Sequence, residues 1–84
     1  MLKNYIEAAL KNAKYEILEE DGSVFGEIPS CKGVYAKTKN FEECRNELIT
    51  ILEEWIFIRL RKNLEIPVID NINLNILEPA NATI

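Results

Sequence analysis

The stretch Asp21-Gly22-Ser23-Val24-Phe25-Gly26-Glu27-Ile28-Pro29, continued by Gly33-Val34-Tyr35-Ala36-Lys37-Thr38 and a helix opening at Asn40, decides the fold. Asp-Gly between two runs of strand-forming residues signals a hairpin, because glycine accepts the positive φ the turn demands. Tyr15 to Glu19 is the incoming strand and Val24 to Ile28 the returning one. Gly26, inside the second strand, marks either a bulge or the close approach of another element. Pro29 removes a backbone donor and ends that strand, and Gly33 permits a sharp re-entry. Val34 to Thr38 is then a third strand, with Val34, Ala36 and Thr38 on one face and Tyr35 and Lys37 on the other.

The helix that follows is predicted from Asn40 to about Asn63. Asn40 is a good N-cap, and Glu43 three positions later suits a capping box. Phe41, Cys44, Leu48, Ile51, Leu52, Trp55 and Ile58 form an apolar stripe, expected to face the core. Ile49, Ile56 and Leu60 widen this stripe, while Phe57 lies on the far side near Glu53, Glu54 and Arg61. One small sheet does not easily cover so much apolar surface. Ile49, Ile56, Phe57 and Leu60 are therefore expected to form an oligomer interface, in a dimer or higher assembly.

Upstream, Leu2, Tyr5, Ile6, Ala9, Leu10 and Ala13 recur at helical spacing, opposite Lys3, Asn4, Glu7, Lys11 and Asn12. Downstream, Pro67 follows the long helix, and Asn71-Ile72-Asn73-Leu74-Asn75-Ile76-Leu77 alternates as a half-buried strand does. The order is α-β-β-β-α-β. It describes a single α+β domain over residues 1–84, a small mainly antiparallel sheet covered by helices.

Composition narrows the function. The chain has 84 residues, 48% hydrophobic and 29% charged, as in a globular domain. Ten basic residues against fourteen acidic give a net charge of −4, which argues against direct nucleic-acid binding and favours a basic protein partner. Leu48 to Leu60, the most apolar window, is short and broken by Glu53, Glu54 and Arg59, so no membrane span is expected. No secretory signal is visible, and two cysteines are too few for a disulfide scaffold, so a cytoplasmic protein with reduced thiols is expected.

No arrangement of residues suits catalysis. The chain has no histidine, the commonest general acid–base group and metal ligand. Cys31 lacks an activating base, and Cys44 sits in the core stripe. Glu19-Glu20-Asp21 lacks the regular oxygen spacing of a calcium loop, and reads as a charged hairpin tip. Glu42-Glu43 suits the first turn of a helix, and Glu53-Glu54 a solvated face. Gly22, Gly26 and Gly33 precede no helix directly and form no phosphate-binding fingerprint. The expectation is a non-enzyme with no metal and no cofactor.

Tyr15-Glu16-Ile17, Asp21-Gly22, Phe25-Gly26-Glu27-Ile28-Pro29, Gly33-Val34-Tyr35-Ala36, Phe41-Glu42-Glu43-Cys44, Leu48, Leu52-Glu53-Glu54-Trp55 and Ile66-Pro67-Val68 occur in an order and spacing that resembles the HicB family of antitoxins. The resemblance covers nearly the whole chain. It implies a partial RNase H-like fold without RNase H catalysis. It also implies a type II antitoxin that masks the active site of a small, basic HicA-type mRNA interferase. Where family members often carry Gly-x-Thr before the long helix, this chain has Thr38-Lys39-Asn40. Full antitoxins append a DNA-binding domain, whereas few residues follow Leu77, so a short form without DNA autoregulation is expected. Glu27, Tyr35 and Lys37 are the expected partner-binding residues, on the sheet face turned from the helices. The alternative is an orphan homo-oligomeric domain of this type, with a structural or regulatory role and no toxin.

Overall fold

The computed structural model describes residues 2–75. Helix α1 (Leu2–Lys11), strands β1 (Lys14–Ile17), β2 (Val24–Glu27) and β3 (Tyr35–Thr38), and helix α2 (Phe41–Arg61) follow one another. The strands form an antiparallel meander in the order β1-β2-β3. Helix α2 packs on β2 and β3, and α1 packs on α2. The fold is α+β, as the sequence implies.

The β1–β2 register sets Tyr15 opposite Gly26 and Glu16 opposite Phe25; β2–β3 sets Gly26 opposite Ala36 and Phe25 opposite Lys37. No residue is inserted at Gly26, so of the two roles its position allows, close approach is the one observed. A Cβ there would lie 2.8 Å from Cys44 Sγ and 2.9 Å from the Tyr15 ring. The hairpin loop is longer than a two-residue turn. Leu18 N–H donates to Ser23 O and Gly22 N–H to Leu18 O, with Gly22 at φ 75°. Asp21 Oδ1 accepts from the Ser23 hydroxyl at 2.7 Å and its N–H at 3.0 Å, and these bonds hold the Asp21 carboxyl below its usual range.

Both ends of α2 are closed by local chemistry. Asn40 Oδ1 accepts from Glu43 N–H at 2.8 Å, the cap its side chain suggests. At the other end Asn63 takes φ 60°, Leu64 N–H donates to Arg59 O and Asn63 N–H to Leu60 O. That pair of bonds is a Schellman stop with asparagine in the left-handed position usually given to glycine. The buried line along α2 is Cys44, Leu48, Leu52 and Ile56. These residues are four apart and so share one side of the helix. Two members of the expected stripe lie outside the core: Phe41, the first residue of α2, and Ile58, which lies off the buried line, are exposed. Phe41 instead packs at a tilt against the Tyr15 ring, centroids 4.4 Å apart and planes at 56°.

The segment after α2 corrects one expectation. Asp70 and Asn71 both have positive φ, and Ile69 and Ile72 exchange backbone hydrogen bonds around them, a two-residue turn with a single bridge. Asn71 therefore turns the chain rather than starting a strand. Asn75 folds back instead of extending: its Oδ1 accepts from Ile66 N–H at 2.8 Å and its Nδ2 donates to Ile66 O at 2.9 Å. Asparagine amides that bond the backbone locally compete with sheet pairing, and here they prevail through Asn75. Ile72 and Leu74 are still half-buried against the core, and Ile76 and Leu77 lie outside the described residues.

Tyr5 ties this segment to the rest. Fully buried, it donates its hydroxyl to Pro67 O at 2.7 Å and lies 3.7 Å from Cys31 Sγ. One side chain thus joins α1, the β2–β3 connection and the stretch carrying buried Ile66 and Ile69.

Two outcomes are expected. Gly26→Ala should cost about 1–3 kcal/mol in denaturant unfolding, the usual penalty of overpacking, because the added methyl would press on both Cys44 Sγ and the Tyr15 ring. Burial, then the contact with Cys31, raises the Tyr5 pKa. The unfolded chain therefore loses this proton near pH ~10 while the folded chain keeps it. Tyr5 stabilisation is complete below that pH and is lost progressively as pH rises from there toward the raised folded value. Tyr5→Phe should cost about 1–3 kcal/mol at neutral pH by leaving Pro67 O unpaired, and should show a shallower alkaline decline. Declines running parallel in the two proteins would contradict this assignment.

Candidate functional site

Alternation along the strands sends one set of side chains under α2 and the other to the opposite face. Val24, Gly26 and Ala36 point inward and are buried. The outer face carries Lys14, Glu27 and Tyr35 in one cross-strand row, and Glu16, Phe25 and Lys37 in the next. No helix covers this face among the described residues. Its centre is aromatic: the Phe25 and Tyr35 rings lie 6.1 Å apart at 32°, and Tyr35 is 58% exposed. Carboxylates and ammonium groups alternate around them. Lys37 reaches Asp21 at 3.7 Å, an exposed pair of small energetic weight that steadies the lysine beside the hairpin tip.

The structure places Glu27, Tyr35 and Lys37 together on this face, with Glu27 and Tyr35 directly opposite each other. Phe25 also belongs to the face, although sequence reasoning missed it. Its signal is the alternation of Val24, Gly26 and Ile28, all buried, with Phe25 and Glu27 between them. Lys14 and Glu16 join the face through the β1 register, which composition alone does not fix.

The four residues expected at an oligomer interface do not form one surface. Ile56 is 2% exposed and belongs to the chain's own core, since it continues the line of Leu48 and Leu52. It has no side-chain area to offer a partner. Ile49 is half-buried and lines a groove between α1 and α2, with Leu2, Ile6, Leu10, Arg45 and Glu53. Phe57 and Leu60 stand on the outward side of α2, Phe57 being 58% exposed.

The groups with nucleophilic or metal-binding potential are dispersed. Cys31 and Cys44 are buried free thiols, and burial raises both pKa values. A thiol so placed is held as the unreactive protonated form. Among the described residues no three His, Cys, Asp or Glu side chains gather into a group able to hold a metal ion. Among them, too, no helix is long and apolar enough to cross a membrane.

Both thiols should resist an aromatic disulfide reagent at pH 8 until the chain is unfolded. If reaction requires global opening of at least ~5 kcal/mol, native rates should fall at least about four-thousandfold below those in denaturant. Fast native reaction at Cys31 would show an opening at the β2–β3 connection.

A family model described as UPF0150-like matches residues 4–67, from α1 to the proline that accepts the Tyr5 hydrogen bond. Among solved structures, the crystal structure of TTHA0281 from Thermus thermophilus is similar, with 31% sequence identity and a TM-score of 0.81. The similarity covers 92% of this chain and 95% of that one. No curated protein matches the chain.

Proposed function

The chain belongs to the UPF0150-like family, and from that premise we propose that it is a non-catalytic protein-binding domain of HicB type, which neutralises a small basic mRNA interferase by masking its active site. The observation that carries this reading is the bare outer face of the sheet, with Phe25 and Tyr35 at its centre and Glu16 and Glu27 beside them. Rigid aromatic side chains supply contact area at little cost in conformational entropy, and such residues dominate binding energy at protein interfaces. Carboxylates beside them suit a ribonuclease, whose RNA-binding surface must be rich in lysine and arginine.

Masking needs no chemistry from the antitoxin. A sheet face laid over a basic, phosphate-binding surface competes with RNA sterically, with Glu16 and Glu27 available to pair its cations. The overall charge of −4 draws the two proteins together, which raises the rate of encounter. Lys14 and Lys37, set among the carboxylates, would fix the orientation by repelling misplaced cations.

The test is capture of partners on the tagged chain from its source cells, followed by RNA cleavage assays of what is captured. The expected result is a small basic ribonuclease inhibited by one equivalent of this chain. Phe25→Ala and Tyr35→Ala should each weaken inhibition by about 2 kcal/mol, close to thirtyfold, and Glu27→Ala by less. A captured ribonuclease inhibited equally by both aromatic variants would place the interface elsewhere. Recovery of the chain alone would favour the orphan homo-oligomer.

A further inference from the structure

Helix α2 covers the inner side of the sheet, so its outward side faces directly away from the aromatic sheet face. Residues four apart share one side of a helix, and along this side Glu53, at the rim of the α1–α2 groove, Phe57 and Arg61 succeed one another, with Leu60 beside Phe57. All four side chains are exposed. The Arg61 guanidinium leans back over the Phe57 ring, 5.6 Å from its centroid. Among the described residues neither Glu53 nor Arg61 has an ion-pair partner. An exposed aromatic thus sits between an acid one turn before it and a base one turn after it.

We propose that this face binds a second copy of the chain, with the two α2 helices antiparallel about a twofold axis at Phe57. Such an axis carries each residue to the one equally far from Phe57 in the opposite direction. Glu53 of each copy then meets Arg61 of the other, because both stand four residues from Phe57. The two Phe57 rings meet at the axis, flanked by Leu60. A twofold contact must complement itself, and the acid–aromatic–base order does so only in the antiparallel arrangement. A parallel pairing in register would set acid against acid and base against base, which selects against it. One helix face supplies less than the ~800 Å² per partner typical of stable interfaces, so a dimer that dissociates at micromolar concentration is expected. The contact leaves both sheet faces free and pointing outward, and it does not depend on what those faces bind.

Sedimentation equilibrium of the full chain, with E53R and R61E as variants, tests the arrangement. The wild type at high micromolar concentration should approach twice the 9.7 kDa chain mass, less so at high salt. Each variant alone sets like charges opposite at both ends and should associate at least tenfold more weakly. Mixed in equal amounts, the two variants restore opposite charges at both ends, and a heterodimer should reappear. The double variant E53R/R61E should dimerise as the wild type does. Circular dichroism matching the wild type establishes that each variant is folded, which these exposed positions permit. A wild type that stays monomeric at high micromolar concentration would overturn the proposal. So would single variants that dimerise unchanged, or a mixture that stays monomeric.

Discussion

The distance between helix α2 and the sheet is set at Gly26, where the missing Cβ leaves room for Cys44 Sγ and the Tyr15 ring. Every other surface follows from that seating. With α2 held against β2 and β3, the line Cys44–Leu48–Leu52–Ile56 is shut inside, and the opposite helix face, carrying Phe57, is left outside. The same contact decides which strand residues are buried. Val24 and Ala36 go under the helix, so Phe25, Tyr35 and Lys37 must go the other way. The cover stops short of β1, which leaves Ile17 72% exposed at the edge of the inner face. A chain this small has few alternatives to one shared core, since its buried fraction is close to the lower limit for independent folding.

Tyr5 performs the complementary task of closing the other side of the core. Its ring fills space between α1, Cys31 and Ile66, and its hydroxyl satisfies the carbonyl of Pro67. Asn75 does the same for both backbone groups of Ile66. Among the described residues, the segment beyond α2 is thus secured by two side chains rather than by a fourth strand, and the Asn75 amide imitates strand pairing. The polar groups that Tyr5 and Asn75 use are consumed in holding the fold. The outer sheet face and the outward side of α2 are left exposed on opposite sides of the molecule.

Much of this is legible in the order of the amino acids. The Asp-Gly turn, the Asn40 cap and the 3.6-residue period of α2 are local signals, and each stands where the sequence places it. Glu27, Tyr35 and Lys37 share a face because strand alternation is a backbone property that a few residues reveal. What is not legible depends on contacts between distant parts. Ile56 reads as a flank of the apolar stripe, yet it continues the buried Leu48–Leu52 line into the core. Phe41 and Ile58 fit the stripe by spacing, yet both are left exposed, Phe41 against the Tyr15 ring and Ile58 off the buried line. The alternation of Ile72 and Leu74 reports burial correctly, but a strand needs a partner, and the Asn75 amide reaches Ile66 first.

Side-chain NMR of the chain titrated with its captured partner decides whether the partner sits on the outer sheet face. The account predicts that the Phe25 and Tyr35 ring signals shift or broaden at one equivalent while those of Phe57 and the α1–α2 groove stay in place. Unchanged Phe25 and Tyr35 rings, with perturbation confined to the helices, would contradict it.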